Sequence, residues 1–269
     1  MSVIAVDGCD LFVTEVGAGP PALVMHGGLG LDHTYLTPGL DPLGSQRTLH
    51  YYDHRGNGRS GRPPLDSISL AQLAADADSL RESIGVDRIT VIGHSYGGFV
   101  ALEYAVTFPE RIDKLVLLDT APTGDYLDKL IVDITSMGAT EEILLALETE
   151  SETDEEFANY FMTIAPLYFV NFVPAQMVEL MRRTIYCAAT ASASTKCLPT
   201  WSVVDRLDQI KAATLVLVGG RDWITPPDQS MRIAGGIKDS ELVVVEETGH
   251  FPWLEDPGTV EIVRAFLAC

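Results

Sequence analysis

The sequence predicts an α/β fold: a mostly parallel sheet flanked by helices, with an α-helical cap inserted into it. Three observations carry that expectation. Short β-branched apolar runs alternate with amphipathic stretches over residues 10–119. The same alternation resumes near Asp205 and continues to the C-terminus. Between the two, Leu130 to Met181 holds ten carboxylates, no lysine or arginine, and no strand-like run bounded by turns. Alternating strand and helix patterns imply parallel strands, because each crossover helix returns the chain to the same end of the sheet.

In chain order, "DLFVTEVG" (10–17) reads as a strand, and "PALVMHGG" (21–28) as a buried strand running into a glycine loop. "RTLHYYDHRGNGRS" (47–60) is a strand that ends in a polar glycine turn. Residues 69–85 form a helix: Leu70, Leu73, Ala74, Ala77, Leu80 and Ile84 recur at three- and four-residue spacing, and Gly85 stops it. The strand "RITVIGH" (88–94) follows, then a helix from Ser95 to Phe108 and the strand "KLVLLD" (114–119). Composition changes after "TAPTGD" (120–125), and the pattern is helical until the strand near 213–219. A helix at "PPDQSMRIAGGI", a strand near 241–246 and a C-terminal helix complete the chain. The expected division is a core of residues 1–121 and 201–269 with a cap of residues 122–200.

Composition narrows the function classes. With 46% hydrophobic residues, a chain of 269 residues can bury a sizeable core. A net charge of −20 argues against nucleic acid and anionic membrane surfaces as partners. No apolar run approaches the length of a membrane helix, and no basic stretch followed by an apolar one stands at the N-terminus, so a cytoplasmic location is expected. Cys9, Cys187, Cys197 and Cys269 form no CxxC pair and read as reduced thiols, with a Cys187–Cys197 bridge as the alternative. The six histidines show neither HxH nor HExxH spacing, so no metal and no other cofactor is expected.

The chemistry centres on "GHSYG" (93–97), a G-x-S-x-G run between a strand and a helix. Glycine at 93 and 97 lets backbone and side chains crowd a sharp turn that lifts the Ser95 hydroxyl clear of the sheet. The same turn puts the Tyr96 N–H at a helix N-terminus, where an oxyanion is stabilised. A serine hydroxyl needs a base, and the base needs an orienting acid. His250 follows the strand "ELVVV", and Asp222 follows "TLVLVGGR", both on the sheet edge that carries Ser95. The roles expected are nucleophile for Ser95, general base then acid for His250, and orienting acid for Asp222. Asp119, after the preceding strand, is the rival acid.

The whole chain resembles the α/β-hydrolase superfamily with a helical cap. "MHGGLG" (25–30), "DHRGNGRSG" (53–61), "GHSYGG" (93–98), "GGRDWITPP" (219–227) and "ETGHFPWLEDP" (247–257) occur in that family's order. The resemblance implies an α/β-hydrolase fold, favours Asp222 over Asp119, and implies that Gly28 supplies the second oxyanion N–H. It also implies acyl chemistry, since relatives with an aspartate nucleophile differ at the position of Ser95. His26 is expected to hold the glycine loop, and Asp53, His54 and Arg55 to order the loop beside it.

Two branches of the superfamily compete for the substrate. Carboxylesterases and serine lactonases, including those that open N-acyl-homoserine lactones, fit an apolar cap stretch at residues 157–177. Proline iminopeptidases carry similar "HGGLG" and "DHRGNGRSG" runs and hold a peptide amino terminus with cap carboxylates; Leu29 stands where that branch has proline. Ester or lactone hydrolysis is ranked first, with a small-molecule substrate whose acyl part is apolar. Hydrolysis of a diketone carbon–carbon bond and a non-catalytic receptor complete the alternatives. Leu29, Tyr160, Phe161, Tyr168, Phe169 and Trp223 are the candidate pocket residues. The acidic run "ETESETDEE" reads as a solvated face or as a field for a cationic substrate.

Overall fold

A computed structural model describes residues 1–28, 30–126 and 139–268. One eight-stranded sheet organises the chain. Its strands are β1 (Ser2–Val6), β2 (Cys9–Gly17), β3 (Pro21–Met25), β4 (Thr48–Tyr52), β5 (Ile89–His94), β6 (Ile112–Leu118), β7 (Ala213–Gly219) and β8 (Ser240–Val245). The spatial order is β1-β2-β4-β3-β5-β6-β7-β8. β1 pairs with β2, and β2 with β4, in antiparallel fashion; every later pairing is parallel. The helices α1 (Leu70–Ile84) and α2 (Tyr96–Thr107) are the crossovers into and out of β5.

Strand β1 is an addition to the sequence expectation. It is a mostly exposed edge strand, so it shows little of the apolar patterning that marks a core strand. Its signal is the turn: Val6 pairs with Cys9, leaving Asp7-Gly8 as a two-residue hairpin loop with Gly8 at φ 67°. Helix α1 has its expected ends. The Ser69 side chain accepts the N–H of Gln72, and Gly85 closes the helix in the left-handed region at φ 84°.

Among the described residues, four α-helices lie between β6 and β7: α3 (Glu141–Glu148), α4 (Asp154–Ile164), α5 (Pro174–Arg183) and α6 (Ala188–Cys197). The acidic run has a local job at the start of α4. Thr153 and Glu156 form a reciprocal capping box, and Asp154, Glu155 and Glu156 sit in the first turn, where the helix dipole favours negative charge. The inserted segment is tied to loops at the C-terminal ends of the strands. Cys187 N–H donates to the Gly30 carbonyl at 2.8 Å, and the Thr190 hydroxyl to the Gly56 carbonyl at 2.7 Å. Cys9, Cys187 and Cys197 are free thiols, and Cys269 lies outside the described residues.

The central strands are buried on both faces. Leu23, Met25, Val91 and Leu117 pack with α1 and α2 on one side. Val24, Ile92, Val116 and Leu217 face the other cluster, which includes the C-terminal helix α8 (Gly258–Ala268) and Phe157, Phe161 and Met177 of the inserted helices. Helix α7 (Pro227–Gly236) contributes Ile233 to the first cluster. No helix among the described residues is long and apolar enough to cross a membrane.

Candidate active site

β5 ends at His94, α2 begins at Tyr96, and Ser95 turns the corner at φ 53°, ψ −120°. A β-carbon makes that conformation costly, so the surroundings must impose it. Ser95 N–H donates to the Leu118 carbonyl at 3.0 Å, and the Ser95 carbonyl accepts the Thr120 hydroxyl at 2.7 Å. The glycines permit the crowding. A β-carbon at Gly97 would lie 2.1 Å from the Met25 carbonyl oxygen, and one at Gly93 would lie 2.6 Å from the Gly97 carbonyl oxygen. Both obstacles are backbone. Gly97→Ala is therefore expected to cost about 1–3 kcal/mol, a fall of several degrees in Tm, with loss of any Ser95-dependent activity. A melting temperature equal to that of the wild type would show that the elbow tolerates the added carbon.

Asp222 stands just past β7 and is buried. Its Oδ1 accepts the N–H groups of Ile224 at 2.9 Å and Thr225 at 3.2 Å. Its Oδ2 accepts the Thr225 hydroxyl at 2.7 Å and lies 2.8 Å from His250 Nδ1. A carboxylate oxygen accepts, so His250 carries its proton on Nδ1 and leaves Nε2 as the proton acceptor. The His250 loop, after β8, is held from the inserted segment: its N–H donates to the Tyr168 carbonyl at 2.8 Å, and its ring meets the Tyr168 ring edge-on at 5.5 Å. Among the described residues, the Ser95 hydroxyl makes no hydrogen bond. Catalytic hydrogen bonds commonly tighten only when substrate is bound.

The structure also brings in two residues that the sequence analysis did not select, Tyr35 and His94. Gly27 N–H donates to the Tyr35 hydroxyl at 2.6 Å, and that hydroxyl lies 2.7 Å from His94 Nδ1. His94 Nε2 reaches the His250 carbonyl at 3.0 Å. Burial, then the neighbouring His250, push His94 well below the usual imidazole range, so its ring is neutral. The directions follow: Tyr35 O–H donates to Nδ1, and Nε2–H donates to the carbonyl. This chain links the glycine loop after β3, the serine turn and the His250 loop. His94, placed directly before Ser95, was the available signal; Tyr35 had none.

Gly28 has φ 64°, and a β-carbon there would meet Leu31 Cδ1 at 2.2 Å. Gly28 and Tyr96 both border the cavity above Ser95. The Tyr96 N–H is at the first position of α2, where no intrahelical acceptor exists. His26 serves its own loop: Nδ1 lies 2.8 Å from the Gly27 carbonyl, and Nε2 accepts the His54 N–H at 3.0 Å. Asp53 accepts the Arg59 N–H at 2.8 Å, and Arg55 grips Asp76 through Nε and Nη2.

The cavity holds about 210 Å³. Tyr160, Phe161 and Tyr168 line it, joined by Phe99, Tyr126 and Phe157. Phe169 and Trp223 do not, contrary to expectation. Phe169 turns to stack on Phe251 at 5.2 Å and borders a different groove with Met177 and Leu180. The Trp223 indole donates its N–H to the Leu167 carbonyl, which ties the β7 loop to the inserted segment. Leu29 lies outside the described residues. Among the described residues, Asp119, Asp222 and His250 are the group with metal-ligand spacing, but Asp222 and His250 direct those atoms at each other.

Residues 20–257 match the family described as alpha/beta hydrolase fold. Among curated proteins, the chain is 28% identical over 242 residues to the proline iminopeptidase PfmaB of Pestalotiopsis fici, covering 86% of this chain and 85% of that one. It is 27% identical over 247 residues to a putative carbamate hydrolase, RutD, of Caulobacter sp. K31, covering 88% and 87%. Among solved structures, it superposes on Est816, described as an N-acyl homoserine lactone degrading enzyme, with a TM-score of 0.79 at 23% identity, covering 98% and 100%.

Proposed function

The chain belongs to the alpha/beta hydrolase fold family, and from that premise we propose that it is a serine hydrolase that cleaves carboxylic esters or lactones. The observation that carries the choice of substrate is the wall above Ser95. Aromatic and aliphatic side chains dominate it, its polar groups are hydroxyls, and no Asp, Glu, Lys or Arg is among the described lining. An apolar acyl group needs only such a wall. A peptide amino terminus needs a buried carboxylate, since an unpaired ammonium is costly to desolvate.

In the proposed mechanism, Ser95 Oγ attacks the acyl carbon while His250 Nε2 takes its proton. The tetrahedral oxyanion is received by the N–H groups of Tyr96 and Gly28. His250 then passes the proton to the departing alkoxide, leaving an ester on Ser95. Water, deprotonated by the same nitrogen, releases the acid and restores the hydroxyl. In a lactone, the leaving alkoxide stays attached to the acyl group. Asp222 keeps the Nδ1 proton in place throughout. A protonated His250 cannot accept the serine proton, so kcat/KM should fall on acidification.

The second reading, an aminopeptidase, has one observation in its favour. Glu142, Glu150, Glu152 and Glu156 border a cleft that shares Tyr160 with the cavity. A parallel assay of p-nitrophenyl butyrate, a homoserine lactone, an aryl carbamate and a prolyl arylamide separates the readings. The expected result is turnover of ester or lactone at least tenfold above that of the arylamide, unchanged in the triple variant Glu150→Gln, Glu152→Gln, Glu156→Gln. Preferential cleavage of the arylamide, lost in the triple variant, would replace the esterase reading with the peptidase one.

A further inference from the structure

Asp119 is a buried carboxyl that the mechanism above leaves unused. It directly follows β6, between the strands that carry Ser95 and Asp222. Its backbone is left-handed at φ 45°, and its exposure is 0%. Oδ1 accepts the Gly219 N–H at 2.8 Å, while Oδ2 is buried with no hydrogen-bond partner. An ionised carboxylate with one bare buried oxygen carries a heavy desolvation cost. A second carboxylate adds to it, because an oxygen of Asp119, an oxygen of Asp222 and a ring nitrogen of His250 lie within 4.8 Å of one another.

Two buried carboxyl groups so close together do not both ionise. The donors around them decide which one keeps the charge. Asp222 receives four, from Ile224 N–H, Thr225 N–H, Thr225 O–H and His250 Nδ1–H. Asp119 receives one. We propose that Asp119 is a positioning residue held as the neutral acid, whose Oδ2–H donates to the Asp222 carboxylate and thereby limits how tightly Asp222 holds a protonated His250. The inference rests on the assignment of Asp222 and His250 as acid and base.

The surrounding charges act in the same direction. Burial first, then the Asp222 charge and the more distant Glu255, hold the Asp119 carboxyl well above the carboxylate range. The other titratable groups facing the pair are neutral: the Tyr126 and Tyr168 phenols, both raised by burial and then by neighbours that include Asp222, and the His94 imidazole beside His250. With the Asp119 proton in place, part of the Asp222 charge is engaged and less of it is left for the imidazolium. Without it, the imidazolium is held more tightly and the acid limb of the rate profile moves up.

The test compares kcat/KM against pH for p-nitrophenyl butyrate in the wild type, Asp119→Asn and Asp119→Leu. Asparagine keeps a donor toward Asp222 and an acceptor for Gly219, so its acid limb should superpose on that of the wild type. Leucine removes the donor, and its limb should rise by about one pH unit, the scale of one lost hydrogen bond to a charged group. An unmoved limb in Asp119→Leu overturns the proposal. So does a limb that drops in Asp119→Asn, since that is the signature of a negative charge removed from beside the imidazolium. Infrared difference spectra of wild type against Asp119→Asn at neutral pH give a readout that needs neither turnover nor the leucine variant. A carboxylic C=O band present in the wild type and lost in the variant is expected, and its absence overturns the proposal. Failure of the wild type to cleave the ester while that band is present would count against the proposed activity and leave the Asp119 assignment standing.

Discussion

Ser95→Ala should abolish ester turnover while leaving the protein folded. The substitution removes only the Oγ, which makes no hydrogen bond among the described residues, so no packing or bonding partner is lost with it. The Ser95 N–H bond to the Leu118 carbonyl and the Thr120 hydroxyl bond to the Ser95 carbonyl hold the turn whichever side chain position 95 carries. The chemistry loses its nucleophile outright. Removing the nucleophile of a serine triad costs on the order of 10⁶ in kcat, and the residue left over comes from binding and oxyanion donors alone. The check is hydrolysis of p-nitrophenyl butyrate together with covalent labelling by a fluorophosphonate, alongside a melting curve. Turnover within tenfold of the wild type would remove Ser95 from the mechanism.

Asp222→Asn is expected to lower kcat by about 10⁴ with little change in KM. An amide in this position can satisfy the Ile224 and Thr225 N–H groups through its oxygen, so the loop after β7 should keep its shape. What changes is the group facing the Thr225 hydroxyl and His250 Nδ1, both of which now meet Oδ2. The oxygen that now lies 2.8 Å from that nitrogen would be replaced by an NH₂ group, which donates. The imidazole would then carry its proton on Nε2, facing the serine, and could not accept another. The cation formed during the reaction would also lose its counter-charge. Steady-state kinetics across the pH range, with circular dichroism as the folding control, decide the matter. A loss below tenfold would hand the orienting role to Asp119, the carboxyl on the neighbouring strand end.

Much of this was legible in the linear chain because it depends on local chemistry. Apolar runs and three- and four-residue spacing mark β3, β5, β6, β7 and α1, since burial on both faces of a sheet or one face of a helix demands them. Gly93 and Gly97 mark the turn at Ser95, because backbone closes on both within a few residues or from one adjoining strand. The positions of Asp222 and His250 at strand ends follow from the alternation itself. β1 escaped because an exposed edge strand needs no apolar pattern, although its Asp7-Gly8 turn was there to be read.

The sequence by itself therefore determined the family, the core strands of the sheet, and which side chains stand at the C-terminal ends of those strands. Only the tertiary structure decided what those side chains touch. Phe169 and Trp223 have the composition of pocket residues, but packing against Phe251 and a hydrogen bond to Leu167 turn them to other tasks. Tyr35 is 59 residues from His94 yet bonds to it, and Asp119 is 100 residues from the Gly219 N–H that it accepts. Contacts of that kind depend on how strands and loops pack against one another in three dimensions. No periodicity or spacing along the chain records them, because their partners are chosen by burial and geometry rather than by sequence neighbours.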